Sequence, residues 1–255
     1  FLMENAKFKE IIWKGKYMLL GVNIDHVATL RNARGGVEPD VMTAVRICKD
    51  CKVQSITTHL REDRRHINDA DVENIRMLPH VRLNLEMAMT DEMQEIALKL
   101  RPHAICLVPE KRQELTTEGG LDVEGQLARA IEFTKPLLEK NIEVSFFIDP
   151  NVHQIAAVSK TGAKFIELHT GKYAEAFGTM EEEKVFQELK GAAIFAQNFG
   201  LSVNAGHGLN YNNVKRMHEI PNIVELNIGH SIISRAIFVG LEQAVKEMKK
   251  LCEEG

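Results

Sequence analysis

Apolar and polar residues along this chain follow two rhythms. Short runs rich in β-branched and aromatic residues read as eight strands: YMLLGVN (17–23), VQSITTH (53–59), VRLNLE (81–86), AICLV (104–108), IEVSFFI (142–148), AKFIELH (163–169), LSVNA (201–205) and IVELNIG (223–229). Apolar residues at helical spacing fill 40–51, 69–78, 91–100, 122–139, 151–160, 180–198, 211–218 and 231–251. Asp40 and Asp91 fall in predicted first turns, and Gly162 and Gly200 follow predicted last turns. Strand and helix alternating along nearly the whole chain is the pattern of parallel βα units. Eight of them predict an α/β fold closed as a (β/α)8 TIM barrel with a few extra helices. An open doubly wound sheet is the alternative, but it usually has fewer strands and binds its ligand at one switch point.

The length of 255 residues lies beside the ~250 typical of this barrel. With no low-complexity segment or linker, residues 18–255 read as a single catalytic domain. Residues 1–17 read as an N-terminal extension, native or appended, outside the functional argument. The 32 Lys and Arg against 36 Asp and Glu leave a net charge of −4 with no basic block, which argues against nucleic acid and anionic membrane as partners. No apolar run approaches the roughly 18–20 residues of a spanning helix, and a cytoplasmic, soluble protein is expected. Cys48 and Cys51 form a CxxC in a helical stretch with no second pair to complete a zinc site, while Cys106 and Cys252 stand alone. All four are expected to be reduced, non-catalytic thiols.

Barrel enzymes assemble their sites where strands end, and polar residues collect at those points. Strand 1 ends in Asn23, Asp25 and His26, strand 2 in His59 and Arg61, and strand 3 in Asn84 and Glu86. Strand 4 runs into Glu110, Lys111 and Arg112; strand 5 ends at Asp149; strand 6 carries Glu167 and His169. Strands 7 and 8 lead to Asn204 and His207 and to Asn227 and His230. One such residue would be an ordinary helix cap or filler of the barrel, but here the pattern holds at every strand. Five of the ten histidines (26, 59, 169, 207 and 230) lie at or just past a strand end, which suits proton transfer near neutral pH. The glycine turns NAGHGLN (204–210) and NIGHSI (227–232) follow the two strands after which barrels often bind phosphate. In THLREDRRHIND (58–69), three arginines suit an anion better than a metal. No lysine lies within a strand and faces the barrel mouth, so acid–base chemistry is preferred to a Schiff base.

The segments GVNIDHVATLRNARG, HLREDRRHIND, LNLEMA, LVPEKRQELTTEGGLD, FIELHTG, VNAGHGLN and ELNIGHSII stand in this order between Leu19 and Leu251. In them the chain closely resembles the pyridoxine 5′-phosphate synthase family, the ring-closing enzymes of vitamin B6 synthesis. The resemblance implies a transferase-class synthase joining two phosphorylated substrates, 3-amino-2-oxopropyl phosphate and 1-deoxy-D-xylulose 5-phosphate, with no organic cofactor or metal. It implies His59 and Glu86 as proton acceptors, His207 as proton donor, and Glu167 as a stabiliser of charged intermediates. Asn23, Arg34, Gly208, Gly229 and His230 would hold the amino-ketone phosphate. Asp25, His26, Arg61, His66 and Thr116 would hold the xylulose phosphate, with the 109–122 loop closing over both. A homo-octamer built from dimers is implied as well. The residues alone stop earlier, at a phosphate-binding barrel that is an isomerase, a lyase or a carbon–nitrogen condensing synthase. A catalytically dead scaffold barrel is the contrasting class, against which intact His59, Glu86 and His207 argue.

Overall fold

A computed structural model describes residues 17–110 and 119–254. Eight strands, β1 (Leu19–Asn23), β2 (Ser55–His59), β3 (Leu83–Met87), β4 (Ala104–Leu107), β5 (Glu143–Ile148), β6 (Phe165–His169), β7 (Ser202–Gly206) and β8 (Ile223–Ile228), pair in sequence order. All pairs are parallel, and β8 pairs with β1 to close the barrel. The open-sheet alternative is thereby excluded.

The helices are α1 (Asp25–Ala33), α2 (Val41–Asp50), α3 (Asp69–Met77), α4 (Asp91–Leu100), α5 (Leu127–Glu139), α6 (Val152–Val158), α7 (Gly171–Ala176), α8 (Glu182–Asn198), α9 (His230–Val239) and α10 (Leu241–Glu253). Local chemistry starts several of them. Asp40 accepts from the amides of Met42 and Thr43, and Asn68 and Asp71 form a reciprocal capping box. Three readings of the pattern are refined. The stretch 231–251 is two helices broken at Gly240, 211–218 is a 3-10 turn over Val214–Glu219, and α5 begins only at Leu127. The short α1 and α7 are among the extra helices.

The position of the core decides where chemistry can occur. Outward-facing strand residues such as Val22, Ile56, Leu85, Ile105, Phe146, Ile166, Val203 and Leu226 are buried under the helices in one continuous apolar cluster. Inside the barrel a separate and much smaller cluster holds only Cys106, Val108 and Phe147. Much of the rest of the interior is polar. Ser55 bonds Glu225, Thr57 donates to Asn227 (3.1 Å), Asn84 donates to Thr57 (3.3 Å), and Asn227 donates to Glu167 (2.6 Å). Barrels usually fill this space with bulky branched side chains. Here Gly21 leaves room for the polar set, since a Cβ at that position would collide with the side chains of Asn227, Glu225 and Ser55.

Candidate functional site

At the C-terminal mouth the period-two alternation of each strand turns one polar side chain inward, and the turn that follows adds another. On β1, the Asn23 amide donates to Asp25 (2.9 Å) and reaches Glu86 on β3 at 3.5 Å. Asp25 also accepts from the backbone amide of His59 (2.9 Å), so this carboxylate ties β1 to β2. His59 pairs directly with Glu86 in strand register. Its Nε2 lies 2.7 Å from Glu110, and the two side chains are only 7% and 5% exposed. The other Glu110 oxygen accepts from the Glu62 amide (3.1 Å). The His66 ring stands 6.1 Å from that of His59, and Arg61 is buried beside them, 3.6 Å from Asp63.

On the opposite wall, Glu167 is fixed by Asn227 and touches the Cys106 thiol at 3.8 Å. Gly206 allows this, because a Cβ there would strike the Glu167 carboxylate. The next two residues, His207 and Gly208, both have positive φ (78° and 81°). That backbone is costly for a histidine, and it is held by the Thr170 hydroxyl, within 2.7 Å and 2.6 Å of the Gly206 and His207 carbonyls. Gly229 packs on Asn23, and Ser231 donates to the Leu209 carbonyl (2.8 Å), which joins the two glycine turns. The N-terminus of α9 opens at Gly229 without a side-chain cap. The His26 and His230 rings meet edge to face at 5.1 Å.

Burial and like charge set the proton affinities. Glu86 is pushed well above the usual carboxylate range, first by burial and then by Glu167 and Asp25. Burial lifts Glu167 to about 7, against the Asn227 hydrogen bond. Glu225, deeper in the barrel, is raised by burial too. Burial lowers His26 and His66, and it takes His207 down to about 4 with help from His169. Shifts of this kind in one cleft are what acid–base sites require. The thiols fit the opposite role: all four cysteines are buried and free, and burial pushes Cys48 and Cys252 up to about 12. A thiol held that high is no nucleophile at neutral pH.

The structure thus gathers Asn23, Asp25, His26, His59, Arg61, His66, Glu86, Glu167, His207, Gly208, Gly229 and His230 around one mouth. Arg34 is exposed at the C-cap of α1, roughly 13 Å along the helix axis from Asp25, and stands apart from the others. Thr116 lies outside the described residues, as do Lys111, Arg112 and the extension up to residue 16. In the arginine-rich loop, Arg64 pairs with Asp69 and Glu92, and Arg65 with Asp63. Only Arg61 of the three is buried in the mouth. Two contacts went unread in the sequence, Glu110 against His59 and Asp149 against His169 at 3.0 Å. Each residue was visible as a strand-end polar group, but the pairing was not.

The fold is widely shared. A KGPDC from Streptococcus mutans is 14% identical with a TM-score of 0.63, covering 93% of this chain and 98% of its own. A tryptophan synthase from M. tuberculosis is 11% identical with a TM-score of 0.60, covering 97% of each chain. Monomers generated from the dimeric phosphoribosylanthranilate isomerase of Thermotoga maritima are 12% identical with a TM-score of 0.59, covering 92% of this chain and 98% of theirs. At such identities these likenesses speak for the barrel alone. The sequence match is far more specific, extending over residues 20–254 and so over every residue of the mouth described above. This chain belongs to the family of the pyridoxal phosphate biosynthesis protein PdxJ, the pyridoxine 5′-phosphate synthases.

Proposed function

We propose that the chain condenses 3-amino-2-oxopropyl phosphate with 1-deoxy-D-xylulose 5-phosphate into pyridoxine 5′-phosphate, releasing phosphate and water. Closing this ring requires imine formation, proton abstraction beside carbonyls, loss of phosphate and dehydration, so several proton carriers must face one pocket. The observation that carries the reading is Glu86. Its raised carboxyl lies between the Asn23–Asp25 pair and Glu167, within the same mouth as His59 and His207.

In this reading His59 and Glu86 accept protons, His207 donates, and Glu167 balances charge on the intermediates. The amino-ketone phosphate rests on Asn23, Arg34, Gly208, Gly229 and His230, where glycine turns and the uncapped start of α9 suit an oxyanion. The xylulose phosphate rests on Asp25, His26, Arg61, His66 and Thr116, with the buried Arg61 as its principal cation. The two anions are thereby held at adjoining sites, with the His26 and His230 rings meeting where they join. The enzyme acts in the cytoplasm as a homo-octamer and uses no organic cofactor or metal.

Purified protein given both phosphates is expected to release inorganic phosphate and to form a product with the pyridoxine chromophore without added metal or nucleotide. Absence of that product, or dependence on a metal that a chelator removes, would sink the reading.

A further inference from the structure

A ring held near 4 is neutral at neutral pH and carries a single N–H, yet the proposed reaction asks His207 to donate a proton and remain neutral. Beside it stands His169, at the end of β6, with 5% of its side chain exposed. The two rings meet at 67° with centroids 5.1 Å apart, and Phe147 packs on His169 at 5.0 Å. His169 Nδ1 lies 3.0 Å from Asp149 Oδ1. Asp149 is held below the usual carboxylate range, first by that bond and also by Lys172 and the Gly120 amide. An ionised carboxylate only accepts, so the proton between the two sits on Nδ1.

The opposite nitrogen, Nε2, is buried without a hydrogen-bond partner among the described residues. It faces Gly171, where any side chain would strike it. A buried polar atom left in this way calls for a role. A cavity of about 150 Å³ lies against the pair, lined by Asp149, His169, Lys172, Tyr173 and Glu188 among others. At about 30 Å³ each it has room for several waters. The groups facing His169 are therefore Asp149 just past β5, Lys172 and Tyr173 from α7, Glu188 from α8, and His207 just past β7, with Glu167 on its own strand.

We propose that His169, anchored by Asp149, is a positioning residue that supplies His207 with the proton His207 gives to substrate. Through a bridging water, since Nε2 makes no direct hydrogen bond to the facing ring, the Nε2–H bond of doubly protonated His169 breaks and an N–H bond forms on one nitrogen of the neutral His207 ring. The proton already on the other nitrogen of His207 passes to the substrate oxygen, which leaves as water. His207 stays neutral throughout, so its low proton affinity is no obstacle. His169 ends neutral, its Nδ1–H still donated to Asp149. After product leaves, solvent returns a proton to the substrate-facing nitrogen of His207, and the proton on its other nitrogen goes back to His169 Nε2, so both rings are reset.

This inference rests on the proposed reaction, and its test has an arm that does not. In unliganded protein, NMR titration of His207 is expected to rise from about 4 in His169→Gln, because the neighbouring ring that helps burial lower it is gone. In turnover, His169→Gln is expected to lower kcat by roughly 10²-fold, the scale of one lost proton-transfer partner, with KM for both phosphates little changed. Should His169→Gln fail to fold, Asp149→Asn carries the test at a side chain 37% exposed. It should change the pH profile of kcat, since the His169 ring loses the carboxylate that holds its Nδ1–H. An unmoved His207 titration together with wild-type kcat in His169→Gln would overturn the relay, as would a wild-type pH profile in Asp149→Asn. A raised His207 titration in a protein whose wild type makes no pyridoxine phosphate would keep the coupling of the two rings and refute the reaction instead.

Discussion

Glu86 must lose a proton in a place that disfavours its charge. Burial, Glu167 and Asp25 all raise it, so the base form vanishes as pH falls through a midpoint above the ordinary carboxylate value. The acid limb of kcat/KM is expected to carry this raised midpoint. Glu86→Gln should cut turnover by at least ~10²-fold and erase that limb, and near-normal turnover with the limb intact would remove Glu86 from the mechanism. The position of Glu86 was legible in the sequence, because the inward face of a strand follows from its period. Its company was not. Glu110 meets His59 across 51 residues and Asp149 meets His169 across 20. Ser55 and Glu225 are 170 residues apart, a separation at which local pattern carries no information on contact.

At the scale of elements, the strands were legible because each is a short β-branched run buried on its outer face. The missed helices lack that kind of signature. In α1 only Asp25, Val27 and Ala28 are buried, so no apolar stripe marks it, and α7 has just six residues. The break between α9 and α10 was hidden for another reason: apolar residues continue at helical spacing through Gly240, and only the backbone turns. Gly240 has φ 83° and ψ 152°, a region essentially closed to residues with a Cβ. Nothing lies within 4 Å of where that Cβ would be, so Gly240→Ala isolates backbone strain from packing. It is expected to cost about 1–3 kcal/mol in urea unfolding. A loss below a few tenths would show that the two helices can realign without strain. Since α10 packs on β1 and its Cys252 carbonyl accepts from the Met18 amide (3.1 Å), the cost falls on barrel closure.

For the whole molecule, the polar barrel interior makes stability depend on pH in an uncommon way. In most proteins carboxylates are lowered by partners, and stability is lost on acidification. Such groups exist here, for example Asp63, held at about 2 first by Arg65, but they lie near the surface, where pairs contribute little. The barrel carboxyls Glu86, Glu167 and Glu225 are shifted the other way. Their contribution is complete below the unfolded carboxylate value of 4.5 and fades as pH rises through their folded values, which for Glu167 is about 7. The histidines lowered by burial, His26, His66, His103 and His207, oppose this on the acid side. Their contribution is present above the unfolded 6.5 and is lost as pH falls through their lower folded values. At about pH 6.5 an unfolded histidine is still half charged, so up to about pH 8 the lowered histidines gain stability while the carboxyls lose it, and a variant lacking the carboxyls separates the two. Between about pH 6.5 and pH 8.5, Glu167 by itself should cost the fold roughly 1 kcal/mol, and its two neighbours add to the loss. In urea unfolding the wild type is expected to lose stability relative to a Glu167→Gln/Glu225→Gln double variant between these two pH values, because the histidine contribution is common to both proteins. A stability difference between the two proteins that is the same at both values would mean that the interior carboxyls are solvated well enough to ionise freely. The same desolvation that raises Glu86 for chemistry would then be absent, so this measurement tests the electrostatic basis of the site without any substrate.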